Sequence, residues 1–333
     1  MRAFVVKKYG KDGLQADTVA APTVGPRDVL IKVSAASVNP LDKMVRNGEF
    51  KQLLKYKPPF VLGHDVAGVV TEVGAEVRDL AVGDEVFARP RDLRIGTFAE
   101  LIAVDQDDVA RKPRSLTLHE AAAVPLVALA AWQLLVEQAK VQPGQQVLIH
   151  AGAGGLGSTL IQLAKYLGAR VATTARPASA DLVKSLGADV VIDYTKQDFS
   201  EVLSGYDLVV DSLGGANLDK SLRVLAPGGL ALSVVGPPDP AFAKQLGAGK
   251  LFELVMSFMS RKVRGAAKKL GVRYAFFFMH ASGEQLGKLA ALYDAGHLRP
   301  VIDRTFPFEQ TLDALAYVEG GKVKAGKVIV TLD

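Results

Sequence analysis

The chain contains no cysteine. This excludes disulfides, thiolate nucleophiles and every cysteine-based zinc site. A chain free of thiols suits a reducing cytoplasm, and a cytoplasmic location is the expectation. Tryptophan occurs once and histidine five times. No apolar run is long enough to span a bilayer comfortably. The longest, Ala121 to Val136, contains Pro125, is flanked by Glu120 and Glu137, and predicts a buried helix. The first residues, MRAFVVKKYG, lack the apolar stretch and small-residue cleavage site of a secretory signal. Internal repeats and low-complexity segments are also missing. No long block of one charge sign occurs. The 40 Lys and Arg residues are spread among 35 Asp and Glu, for a net charge of +5. Modest basic clusters stand at Arg89 to Arg94 and at Arg261 to Lys269. Such a spread predicts a solvated surface, with neither nucleic acid nor membrane as partner.

What remains is an ordinary globular composition. The chain has 333 residues, 49% of them hydrophobic. A chain of this length forms two domains and buries about three quarters of its unfolded surface. The first third has strand and turn character. Asp28 to Ser34 alternates, Val66 to Val73 is β-branched, and a turn at Gly83 leads into another strand. Near residue 120 the pattern changes to short apolar strands alternating with helices. Strands are predicted over 146–151, 170–174, 190–193, 207–212, 229–235 and 273–279, with helices over 155–167, 180–186 and 218–225. This alternation implies an α/β fold with a parallel sheet covered on both faces. The tail predicts a helix over 284–295, a strand over 300–302, a helix over 308–319 and a strand over 327–331.

The strongest motif is Ile149-His150-Ala151-Gly152-Ala153-Gly154-Gly155-Leu156-Gly157. It holds a G-x-G-x-x-G pattern at Gly152, Gly154 and Gly157, with a strand before it and a helix after. One glycine permits the tight turn, one lets the backbone approach a pyrophosphate, and one allows close helix packing. The phosphates then rest on the free N–H groups of Gly155, Leu156 and Gly157. A dinucleotide site follows. The second strand ends Ala172-Thr173-Thr174-Ala175-Arg176. An acidic residue there would take the ribose hydroxyls of NAD and repel a 2′-phosphate. Here Arg176 stands instead and can pair with that phosphate, beside Thr174. The expected cofactor is NADPH.

Further segments carry a family resemblance over nearly the whole chain. They are Ala36-Ser37-Val38-Asn39-Pro40-Leu41-Asp42, Gly63-His64-Asp65-Val66-Ala67-Gly68, Ser185-Leu186-Gly187-Ala188-Asp189 with Ile192-Asp193-Tyr194, and Ala325-Gly326-Lys327-Val328. With the glycine turn, they resemble the zinc-free quinone oxidoreductase and enone reductase branch of the medium-chain dehydrogenase/reductase superfamily. The resemblance implies a doubly wound Rossmann sheet over residues 123–279. It also implies a GroES-like, β-rich catalytic domain assembled from 1–122 and 280–333, with the active site in the cleft between the two. It places Asn39 and Val235 near the nicotinamide and Lys327 at the far end of the cofactor. It places Arg176, Ser179 and Tyr194 around the adenosine ribose-phosphate. A homodimer through the outer strand of the Rossmann sheet is a further implication. The chain departs from relatives at Ala130, where they often carry threonine, at Met44, where some carry lysine, and at Ser179, where some carry lysine.

Zinc-dependent members place a cysteine at Asn39. Here one imidazole, His64, and one carboxamide remain, too few for a tight site, and no metal is expected. Without a Lewis acid, alcohol oxidation is hard, while hydride transfer to a conjugated carbonyl or quinone is easier. Candidates for donating to the substrate oxygen are Lys43 and His64, or simply water, with a solvated loop lysine as the competing reading of Lys43. The expected function is thus an NADPH-dependent reductase of an α,β-unsaturated carbonyl or a quinone, a small electrophile. A zinc-independent enoyl-thioester reductase and a non-catalytic NADPH-binding protein are the alternatives.

Overall fold

The structure is a computed structural model in which all residues except 52, 53, 248 and 333 are described. The chain forms two compact units, Met1–Leu129 with His280–Asp333, and Ala130–Met279.

The first unit is β-rich. Strands β1 (Arg2–Val6), β2 (Leu14–Thr18) and β4 (Phe60–Val61) form a small antiparallel sheet. A larger sheet contains β3 (Asp28–Val38), β5 (Asp65–Val73), β6 (Glu85–Ala88), β7 (Leu101–Asp105) and β8 (Val109–Arg111). It also takes in β15 (Ile302–Pro307) and β16 (Lys327–Thr331) from the other end of the sequence. Its order is β15-β16-β3-β5-β6-β8, with β7 also on β3. Strand β3 runs four residues beyond the alternating segment 28–34, because it serves different neighbours along one edge. Residues 28–32 pair with β7, and 35–38 pair with β16. The added segment, Ala35-Ala36-Ser37-Val38, is buried throughout, so it has no polar alternation to betray it.

The register aligns one end of four neighbouring strands. Val328 lies opposite Val38, Ser37 opposite Asp65, and Val66 opposite Ala88. Lys327, Asn39, His64 with Asp65, and Arg89 therefore stand side by side along that end.

The second unit is a parallel sheet in the order β11-β10-β9-β12-β13-β14. Its strands are β9 (Gln146–Ile149), β10 (Arg170–Ala175), β11 (Val190–Asp193), β12 (Tyr206–Asp211), β13 (Leu225–Ser233) and β14 (Arg273–Phe276). This is the doubly wound Rossmann topology. Val147, Leu148, Ile149, Val209 and Ala231 are wholly enclosed, as a sheet covered on both faces requires. The strand order reverses between β9 and β12, and the glycine turn leaves β9 there, where such sheets bind ligands.

Three expectations need correction. The apolar stretch 121–136 is not one helix. A short helix, Leu118–Ala122, ends before Pro125, a second runs Pro125–Trp132, and a π-helical turn follows over Gln133–Gln138. Proline lacks the N–H that would continue the first helix, and it takes the N-terminal place of the second. The strand expected over 300–302 lies at Ile302–Pro307. The strand expected over 273–279 ends at Phe276, where its parallel partner β13 ends at Ser233. Among the described residues, no helix is long and apolar enough to cross a membrane.

Candidate active site and dinucleotide cradle

In the first unit, helix α1 (Pro40–Asn47) starts at Asn39, with proline at its first position. The Asn39 N–H donates to Asp42 Oδ2 at 2.7 Å. The Asp42 N–H in turn donates to the Asn39 main-chain carbonyl at 3.0 Å, and the Asn39 carboxamide reaches the neighbouring strands. Its Nδ2 donates to Asp65 Oδ2 at 2.8 Å, and its Oδ1 accepts from Lys327 Nζ. Asp65 is the hub. Oδ2 also accepts from Ser37 Oγ at 2.7 Å and Lys327 Nζ at 3.2 Å, while Oδ1 accepts the Leu126 N–H at 2.7 Å. Asp65 is completely buried and Lys327 almost so. A charge removed from water in this way must be paired and hydrogen-bonded, and both conditions are met.

Beside the hub, His64 Nδ1 lies 2.6 Å from Asp42 Oδ1, with both side chains fully buried. A carboxylate accepting at Nδ1 holds the proton there and leaves Nε2 as the free nitrogen. Nε2 has no partner among the described residues. Arg89 is also fully buried. Its Nη2 donates to Asp92 at 2.7 Å, and its Nε and Nη1 have no partner among the described residues. Tyr56 shares this environment. Burial, reinforced by the Asp92 carboxylate, pushes its phenol above the ordinary range, so it stays protonated, and its oxygen accepts the Leu93 N–H. Lys43, expected as a proton donor, is exposed while its neighbour Asp42 is buried, so it stands outside the cluster. Asp65 and Arg89 are the residues that sequence reasoning passed over. The signal for Asp65 was its place after His64, at the start of a β-branched run.

These residues do not fit zinc. The chain offers no thiolate. His64 Nε2 is one open nitrogen, but the Asn39 and Asp65 oxygens that would have to join it face the Lys327 ammonium. A divalent ion at those oxygens would meet a fixed positive charge. Among the described residues, no three His, Cys, Asp or Glu side chains could hold a metal.

In the second unit, the turn after β9 leads into helix α2 (Gly155–Tyr166), whose cap residue Gly154 offers no side chain. The N–H groups of the first turn lack helical partners by construction, so they suit an anion. The glycines act through space rather than through backbone angle. Ala151 takes the left-handed conformation, with φ of 52°, while Gly152, Gly154 and Gly157 do not. A Cβ on Gly152 would meet Thr173 Oγ1 at 2.0 Å, and one on Gly157 the Ala151 carbonyl at 2.3 Å. A Cβ on Gly154 would approach only the Ala151 carbonyl, at 3.3 Å. Its other surroundings are open, as a backbone that receives a pyrophosphate needs. The cradle fits a dinucleotide.

Thr174 differs from its expected use. It is buried, and its Oγ1 accepts the Ala151 N–H at 3.1 Å, so it props the turn. His150, also buried, bonds Ser221 Oγ at 2.9 Å through Nε2. Burial lowers its pKa to about 4, against a smaller opposing pull from the Asp211 carboxylate. At the ends of β10 and β11, Arg176 Nε donates to Tyr194 Oη at 2.7 Å. Arg176 borders a cavity of about 250 Å³ with Lys184, Lys196 and Asp193. Ser179 is buried, and its N–H donates to the Arg176 carbonyl at 2.9 Å. Val235 lies just beyond β13, about half exposed. Lys327 belongs to the first unit and is held by Asn39 and Asp65.

Residues 25–114 match the family described as alcohol dehydrogenase GroES-like domain, and 186–330 that described as zinc-binding dehydrogenase. The mouse mitochondrial NAD(P)H oxidoreductase RTN4IP1 is 35% identical, covering 100% of this chain and 89% of its own. The chloroplastic NADPH-dependent alkenal/one oxidoreductase of Arabidopsis thaliana is 35% identical over 99% of this chain and 79% of its own. This chain belongs to the medium-chain dehydrogenase/reductase superfamily, in its quinone oxidoreductase and enone reductase branch. The solved quinone oxidoreductase of Coxiella burnetii superposes on this superfamily member with a TM-score of 0.86. It is 31% identical, with 100% of this chain and 99% of that one covered. As a medium-chain dehydrogenase/reductase, the chain is an oxidoreductase. The family name that mentions zinc does not carry over to its donor set.

Proposed function

We propose that the chain is an NADPH-dependent reductase of small α,β-unsaturated carbonyl compounds or quinones, working without zinc. The observation that carries this reading is the Lys327 ammonium bonded to Asn39 and Asp65, at the residues where zinc-dependent relatives would gather their metal. With no Lewis acid to lower an alcohol's pKa, reduction of an already polarised acceptor is the direction such a site favours. When bound, the nicotinamide supplies the hydride. The chain's own residues supply fixed donors in a dry setting. Lys327 orients Asn39, and Asp42 fixes the His64 tautomer so that Nε2 is the unprotonated nitrogen, a hydrogen-bond acceptor. The relatives' names, one an alkenal/one oxidoreductase and one a quinone oxidoreductase, support the same class of acceptor.

NADPH is preferred on the strength of Arg176. No carboxylate ends β10, and the Arg176 guanidinium is steadied by Tyr194. Such a planar donor pairs well with a 2′-phosphate. The test is loss of reduced nicotinamide with a short-chain enone and with a fused-ring quinone, each run with NADPH and with NADH. Turnover of either acceptor with NADPH supports the reading. Tight NADPH binding with no turnover of either acceptor would overturn it, and an enoyl thioester would be the next substrate to try.

A further inference from the structure

Helix α3 (Lys250–Met259) in the second unit is amphipathic in an unusual sense. Its inward contacts are Met256, buried, and Phe252, partly buried. Its outward stripe is also apolar. Leu251, Leu254, Val255, Phe258 and Met259 are exposed by 77%, 67%, 47%, 75% and 53%. Their spacing is that of a face which ordinarily packs on a core. Among the described residues, nothing covers it.

The next helix, α4 (Arg261–Lys269), follows directly through the buried Ser260. It turns Val263 and Ala267 inward and presents Arg261, Lys262, Lys268 and Lys269 to solvent. Arg264 is engaged with Ser257 and Ser260. Of the exposed four, Lys262 has an acidic neighbour, Asp219 at 4.0 Å. From residue 240 to 273 the sequence holds eight Lys or Arg residues and one acid, Glu253.

An exposed apolar helix joined to a basic one has a definite complement: a partner apolar within and negative at its surface. We propose that this face docks on an anionic lipid surface, with α3 lying in the headgroup layer and α4 set against the lipid phosphates. Peripheral helices bind bilayers through this combination of apolar insertion and basic charge. A second copy of the chain is the poorer complement. Two such faces would set one net-positive surface against another. Five side chains of this kind also expose only roughly 500 Å², against roughly 800 Å² per partner in a stable interface. The proposal revises the expectation that the chain meets no membrane. It is independent of which electrophile the enzyme reduces.

The experiment is flotation of the full-length protein with vesicles of phosphatidylcholine alone, or with about one third phosphatidylglycerol to supply anionic charge. Binding is expected to the anionic vesicles and to weaken as salt rises. Two double variants, L254E/F258E and K268E/K269E, should each lower partitioning about tenfold or more. Thermal melting should stay unchanged, since all four side chains point outward. Absence of flotation with anionic vesicles, or flotation that either double variant leaves unchanged, would overturn the proposal. So would a dimer in sedimentation velocity that L254E/F258E converts to monomer without any vesicle binding, which would assign the face to a second copy.

Discussion

At the scale of single residues, Arg176 and the glycines make separable predictions. Arg176→Ala should raise the KM for NADPH by roughly 10- to 100-fold, the range of a charge-assisted pair. It should leave the KM for NADH nearly unchanged. Steady-state kinetics with both cofactors checks this, and equal losses with both would remove Arg176 from the 2′-phosphate. Gly152→Ala should destabilise the fold, because its Cβ would overlap Thr173 Oγ1 at 2.0 Å, a side chain tied to the Ile149 carbonyl. Gly154→Ala meets only one carbonyl at 3.3 Å. It should melt within a few degrees of the parent and yet bind NADPH more weakly. Melting curves and cofactor titration of the two variants separate the roles. A Gly154→Ala protein that binds NADPH as well as the parent would place the pyrophosphate elsewhere.

Elements rather than residues decide what happens at the strand ends. Lys327 opens β16, Asn39 follows β3, and Asp65 opens β5, so sheet register alone brings an ammonium, a carboxamide and a carboxylate together. Lys327→Met keeps the volume and removes the charge, leaving a buried carboxylate whose remaining partners are neutral. A loss of about 3–5 kcal/mol in unfolding free energy is expected, measurable by urea denaturation. Little change would mean that Ser37, Asn39 and the Leu126 N–H suffice for Asp65. The strands of the parallel sheet were legible in the sequence because each is a short apolar run between glycine-marked turns. The glycine cradle was legible because spacing, strand and helix coincide there. The Asp65 hub was not, since nothing local tells a reader that residue 327 pairs beside residue 39. The boundary at Phe276 was also hidden, because apolar character continues through Phe277 and Phe278 after the hydrogen-bonding partner has stopped. Phe277 makes a last hydrogen bond to the Ser233 carbonyl, and Phe278 packs instead, its ring 5.4 Å from that of Phe242.

For the molecule as a whole, His150 gives stability a pH dependence with a definite sign. Its pKa is lowered to about 4 in the folded chain, against about 6.5 for an unfolded histidine. Between those values the unfolded state binds the extra proton. Stability should therefore be full above pH 6.5 and fall as the pH drops toward 4, by up to roughly 3 kcal/mol from this group. Denaturation across that range, with His150→Gln as the reference, isolates the effect. A parent and variant with identical pH profiles would show that His150 does not titrate in this way.

The sheet of the first unit also sets a timetable. Lys327 meets Asn39 across 288 positions of sequence, and the whole second unit is translated between them. At roughly 5–20 residues per second, a ribosome needs roughly 15–60 s to cover that distance. During this interval Asp65 has no ammonium beside it, and β3 lacks its neighbour β16. The first unit thus begins first and closes late. Until Lys327 is made, the first unit lacks both the strand and the charge that complete it.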